Sequence, residues 1–152
     1  MKIKYSLMLL AVLIMTATIP VSAATDSDID THPDCLHCGM DRKAFGYSRM
    51  LVQYEDGTSV GLCSLRCAAV ELEANKTRKV KAVLVADRNS RVLIDAEKAV
   101  WVVGGRKKGV MTMNPKWAFE LKASADAFIK EFGGASVTWP EALAAAKKEL
   151  SQ

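Results

Sequence analysis

Arg49-Met-Leu-Val-Gln-Tyr54-Glu-Asp-Gly57-Thr-Ser-Val-Gly-Leu-Cys63-Ser-Leu-Arg-Cys67 is the stretch from which the rest of the chain can be read. Residues 49–54 alternate around Leu51 and Gln53 and run into Glu55-Asp56-Gly57. Asp-Gly between two strand-like runs predicts a tight hairpin, with residues 58–62 as the returning strand. Ser64 follows Cys63 and suits a helix N-cap. Leu65, Ala68, Ala69 and Leu72 then recur at helical spacing. Residues 48–74 therefore read as strand, hairpin, strand, helix.

Downstream, the polar residues 75–79 break the pattern and a second unit begins. Residues 80–86 are rich in β-branched side chains, residues 87–90 form a turn, and residues 91–94 return. Residues 100–103 are an apolar run stopped by Gly104-Gly105, and residues 117–121 are strand-like. Residues 123–132 place Ala127, Phe128 and Phe132 on one helical face and end at Gly133-Gly134, a C-terminal signal. Pro140 opens an Ala-rich final helix. Each half shows a hairpin followed by a helix. The expected class is α+β, built from two small hairpin-plus-helix (ββα-like) units: a cysteine-bearing unit at residues 35–75 and a second α+β unit at residues 76–152.

Upstream, Lys2 and Lys4 precede an apolar run at residues 7–19 and the small-residue exit Pro20-Val-Ser-Ala-Ala24. That order is a secretory signal peptide, assigned to residues 1–23. The competing reading is an uncleaved anchor, but the apolar run is too short for a comfortable span. No cysteine follows it closely enough for a lipid anchor. Residues 24–34 read as a flexible lead-in. The expected location is the periplasm or another exported compartment, with no stable membrane anchor after cleavage. Removing residues 1–23 takes two lysines and no acids, so the net charge of +4 falls to +2. This balance gives no reason to expect a nucleic-acid partner.

The chain has four cysteines, Cys35, Cys38, Cys63 and Cys67. A Cys-x-x-Cys turn brings two sulfurs together, and Cys67 lies one helical turn beyond Cys63, facing the same way. The Asp-Gly hairpin folds the second pair toward the first, and converging thiolates suit soft metals. Structural disulfides compete, as is usual for even cysteine counts in exported chains. However, the chain is long enough for an ordinary core, and such short loops gain little entropic stabilisation. A redox Cys-x-x-Cys is the third reading, although residues 41–46 do not continue as a convincing helix. Haem attachment fails because Gly39, not His, follows Cys38. Gly39 permits a sharp turn and brings in Met40, whose thioether suits copper(I) better than zinc. His37, inside the turn, is a further candidate ligand. Met111 and Met113 flank Thr112 and would face one way in a strand; flexible core filler is the plainer reading for each Met. His32 reads as solvated. Arg106-Lys107-Lys108 reads as a loop tip, or as a docking site for an acidic partner.

Cys35-Leu-His-Cys-Gly-Met40 resembles the NosL family of copper-binding accessory proteins in nitrous oxide reductase maturation. The resemblance continues through Val92-Leu-Ile-Asp-Ala-Glu-Lys-Ala-Val-Trp101, Met111-Thr-Met-Asn-Pro-Lys-Trp-Ala-Phe119 and Phe132-Gly-Gly134. The spacing of Cys38, Cys63 and Cys67 also resembles the TRASH-type cysteine motif. The family resemblance implies two ββα units, similar to part of organomercurial lyase, and an extracytoplasmic location. Typical members are lipoproteins, whereas this chain lacks the lipobox cysteine, and the Cys63/Cys67 pair is not general in the family. The function expected is a copper(I) chaperone or carrier, not an enzyme, with zinc the weaker metal. Its partner would be a copper-accepting apoprotein such as nitrous oxide reductase or its assembly complex. Cys35 and Cys38 would be primary ligands, Met40 a soft third ligand, and Cys63 and Cys67 either ligands or a regulatory pair. The alternatives are a thiol–disulfide oxidoreductase or other thiol-based enzyme, and a disulfide-stabilised interaction domain. Mass spectrometry of the exported protein should find a mature N-terminus near Ala24 or Thr25; a membrane-bound protein retaining Met1 would contradict the leader assignment.

Overall fold

A computed structural model describes residues 27–151, so the signal-peptide reading of residues 1–23 lies outside them. Strands β1 (Met50–Tyr54) and β2 (Ser59–Leu62) pair antiparallel around the expected turn. Gly57 takes the left-handed conformation there, with φ of 85°. The Asp56 carboxylate accepts the Thr58 N–H at 2.9 Å. Ser64 occupies the N-cap of helix α2 (Leu65–Ala74), but its side chain makes no capping bond.

Strand β3 (Val80–Ala86) pairs antiparallel with the free edge of β1, and β4 (Leu93–Asp95) pairs with β3, giving the order β2-β1-β3-β4. This differs from the expected division, because the hairpin assigned to residues 76–152 completes the first sheet. Turn chemistry locates a hairpin but not the sheet edge it will join. The second sheet, ordered β6-β5-β7, contains β5 (Val100–Val103), β6 (Lys116–Phe119) and β7 (Ala135–Val137). Helix α3 (Lys122–Phe132) follows β6, so β5-β6-α3 is the second ββα unit. Strand β7 is too short to announce itself by alternation. Helix α4 (Trp139–Lys148) opens with Pro140 and a capping box between Thr138 and Glu141. The α+β class with two ββα units is therefore what the chain forms.

One strand feeds two cores, because successive side chains of β5 point to opposite faces. Trp101 packs with Leu65, Ala68, Ala69, Ala142 and Ala146, in the layer shared by the first sheet, α2 and α4. Val102 packs with Trp117, Phe119, Ala125 and Phe128 under α3. The alanines of α2 and α4 leave room for the Trp101 indole, whose N–H reaches the Ala96 carbonyl at 2.8 Å.

From residue 27 onward, the segment expected to be a flexible lead-in is folded. Residues Ser27–Thr31 form a short helix, α1, and Asp28 is buried. The physical reason is a pair of buried arginines that composition alone does not reveal. Arg42 is fully buried and uses its donors on four carbonyls and one carboxylate. It reaches Asp28 O at 2.9 Å, His32 O at 2.6 Å, Met50 O at 3.0 Å, Leu62 O at 3.2 Å and Asp28 Oδ2 at 2.7 Å. Arg49 grips the same carboxylate, with Nη2 to Asp28 Oδ1 at 3.0 Å. Burial alone would raise the Asp28 pKa, but the two guanidinium groups, Arg49 foremost, hold it below its ordinary value of 3.8. A lowered folded-state pKa stabilises the fold above the unfolded value, and this contribution is lost as pH falls through the folded one. Asp28→Asn removes the carboxylate that both buried guanidinium groups grip and should cost about 3–5 kcal/mol. The variant's melting temperature should fall and should respond less to acidification below about pH 4 than wild type. An unchanged melt would contradict the pinning role.

Candidate metal centre

The Cys-x-x-Cys turn is shaped by the backbone before any ligand is considered. The Cys35 N–H donates to Met40 O at 2.9 Å, and the Gly39 N–H donates to Cys35 O at 2.8 Å. Gly39 closes the turn at φ of 70°. The turn is then fastened to the sheet, because the Leu36 N–H donates to Gly61 O at 3.1 Å. Gly61 must lack a side chain: a Cβ there would lie 2.4 Å from His32 Cβ and 2.7 Å from Arg42 Nη1. The seat that receives the turn is therefore the end of β2, immediately before Cys63. Cys67 follows one turn into α2, as its spacing predicts.

The four sulfurs meet. Cys35, Cys38, Cys63 and Cys67 place their Sγ atoms within 4.8 Å of one another. Cys38 lies 3.4 Å from Cys63, Cys63 lies 3.7 Å from Cys67, and Cys67 lies 3.8 Å from Cys38. These separations exceed the ~2.05 Å of a disulfide bond. They match the ~3.8 Å edge of a sulfur tetrahedron around a metal bound at ~2.3 Å. Cys35, Cys63 and Cys67 are buried, and Cys38 is partly exposed, so the cluster opens to solvent along one edge.

Its charge is unevenly placed. Hydrogen bonds from the Cys63 and Cys67 thiols, in that order, pull the Cys35 thiol far below its ordinary pKa. The backbone N–H groups of Cys63 and Cys38 act in the same direction. The Cys63 thiol is correspondingly pushed up to about 12, first by its bond to Cys35. Cys67 is also raised, by Cys35 and then Cys63. The neighbouring sulfurs therefore bias the first negative charge toward Cys35. The buried Arg42 guanidinium feels that charge, which opposes the lowering of its own pKa by burial.

The remaining candidates fall into two groups. Met40 is partly buried and packs on the same core cluster as Cys38. His37 stands in the turn, but its Nε2 is held by Glu71 Oε2 at 2.9 Å and it is not one of the grouped ligands. Glu71 is buried, and its other oxygen accepts the Tyr54 hydroxyl at 2.6 Å. Burial and then Glu71 raise the Tyr54 pKa to about 12. Sequence reasoning missed Glu71, although its i+4 spacing from Cys67 was a usable signal. Met111 and Met113 are not in a strand: they lie in the loop between β5 and β6, Met111 at φ of 55°, with Met113 98 % exposed. Together with Arg66, Thr112 and Glu149 they line a surface cleft. His32, expected to be solvated, is half-buried and its Nε2 lies 2.9 Å from Ser59 Oγ.

Comparison with known proteins agrees with this arrangement. The NosL family model matches residues 26–145. Among solved structures, the copper chaperone NosL from Shewanella denitrificans is similar, with 26% identity and a TM-score of 0.59. The match covers 74% of this chain and 91% of that one. No match is found among curated proteins. With a family model spanning most of its length and a four-cysteine cluster in place, the chain belongs to the NosL family.

Proposed function

We propose that the protein is an exported copper(I) carrier that hands its metal to a copper-accepting apoprotein, with nitrous oxide reductase or its assembly complex as the acceptor the family implies. The observation that carries this reading is the convergence of four sulfurs within 4.8 Å, partly open to solvent at Cys38. Soft thiolate donors select copper(I), and an open edge allows a cargo metal to enter and leave. The similar solved protein is a copper chaperone, which supports a carrier in place of an enzyme. The charge distribution supports the same choice. Reactive catalytic thiols are partly exposed, whereas here the low-pKa thiol, Cys35, is only 2 % exposed. Zinc is the second reading, favoured by separations among Cys38, Cys63 and Cys67 close to a tetrahedral sulfur edge; the Met40 thioether, packed on the same core cluster as Cys38, favours copper(I).

Binding must expel the protons held by Cys63 and Cys67. Their raised pKa values keep both thiols protonated at neutral pH, so affinity should rise as pH rises. A competition titration of the reduced protein against a copper(I) chelator should show tighter binding at about pH 8 than at about pH 6, with proton release detected in weak buffer. Affinity independent of pH would remove Cys63 and Cys67 from the ligand set. In the same assay, Cys38→Ser should weaken copper(I) by at least ~100-fold, about 2.7 kcal/mol. Met40→Leu should weaken copper(I) by roughly tenfold and leave zinc unchanged. Equal loss of both metals would favour the zinc reading.

A further inference from the structure

A second cleft, with none of the four cysteines in its lining, lies on the side of the molecule that carries α3. A cleft of about 430 Å³ is lined by Tyr47, Arg88, Arg91, Lys107, Lys108 and Trp117, with Asn89 at its edge. Its volume falls within the ~300–1,000 Å³ of ligand pockets. Among the described residues none of these four cations is ion-paired, whereas Lys76, Arg78, Lys98, Lys116, Lys122 and Lys147 all are.

Two lining residues also carry buried donors without partners, Arg88 Nε and Trp117 Nε1, and Trp117 as a whole is only 3 % exposed. Buried donors are nearly always bonded, so an unpartnered pair beside a cleft points to an acceptor supplied from outside. The Arg88 guanidinium is otherwise poorly engaged. Its Nη1 reaches Asn89 Oδ1 at 3.3 Å, and it lies 4.8 Å from the centre of the Phe128 ring and 5.4 Å from that of Trp117. Its backbone, by contrast, is fixed. The Arg88 N–H donates to Ala118 O at 2.9 Å, and the Asp87 carboxylate is already occupied by the N–H groups of Asn89, Ser90 and Glu120. The cleft is therefore preorganised and electropositive, with no acid of its own turned to these cations.

We propose that this cleft docks an acidic segment of a partner protein, a Glu or Asp carboxylate entering to accept from Arg88 and Trp117 while Arg91, Lys107 and Lys108 hold neighbouring acids. A carboxylate on a side-chain stem suits the site because the donors are recessed and the walls at Tyr47 and Trp117 are aromatic; a flat anionic surface would meet only the outer lysines. Charge pairs of this kind set register and association rate between partners. The inference does not depend on which metal the sulfurs hold.

The test is a titration of the ¹⁵N-labelled protein with a hexaglutamate peptide, following the indole N–H resonances; Trp117→Phe identifies the Trp117 signal and, by deleting the indole donor, should cost roughly tenfold in affinity. The peptide should shift that resonance, and Lys107→Glu with Lys108→Glu should weaken binding at least ~10-fold without altering the melt. Parallel arms use inorganic phosphate and phosphatidylglycerol vesicles. An unmoved Trp117 resonance, charge reversal without effect, or phosphate or vesicles binding as well as the peptide would each overturn the proposal.

Discussion

A single buried guanidinium fixes where the two halves of the four-cysteine cluster meet. Arg42 donates to carbonyls in α1, in the segment that follows it, in β1 and at the end of β2, and to the Asp28 carboxylate. A planar fork with five donors can join that many strands of backbone at one point, which a lysine cannot. The Cys35–Cys38 turn lies between His32 and Arg42 in sequence, so fixing both of its ends against β2 delivers the turn to Cys63. Gly61 is the complementary concession, since any side chain there would occupy the space of His32 and Arg42. The sulfur cluster is thus a consequence of how an N-terminal segment is bolted to a hairpin, and not of local spacing alone.

Once the turn is seated, the cluster is polarised. Its neighbours lower the Cys35 pKa and raise those of Cys63 and Cys67, while Cys38 sits at the opening. Glu71, one turn beyond Cys67, holds His37 from the helix side and is itself held by Tyr54 and Asn75. The CxxC turn is therefore clamped from β2 through Leu36 and from α2 through His37. A site clamped at both sides, with one partly exposed thiol, suits exchange of a soft metal better than thiol chemistry, which needs its thiolate accessible.

The legible parts of the molecule were those whose physics is local. The Asp56-Gly57 turn, the β-branched run of residues 80–86, the i, i+4 pair Cys63 and Cys67, and the Gly133 stop all depend on near neighbours, and each is found where the pattern places it. What stayed hidden depends on long-range partners. Nothing near Asp28 in sequence shows that Arg42 and Arg49 will bury it, so residues 24–34 read as lead-in. The edge of β1 that accepts β3 is equally invisible from turn chemistry. Met111 and Met113 mislead for a related reason: alternation across Thr112 implies a strand, but Met111 turns left-handed and Met113 points into solvent. His37 was legible as polar and well placed, but not as the partner of Glu71.

The central claim is that all four cysteines converge on one soft-metal site. Copper K-edge X-ray absorption on the reduced protein loaded with a single equivalent of copper(I) tests it most directly. The structure predicts a first shell of sulfur alone, whose occupancy drops in both the Cys38→Ser and the Cys63→Ser proteins. A shell dominated by nitrogen or oxygen, or a sulfur shell indifferent to Cys63→Ser, would contradict it.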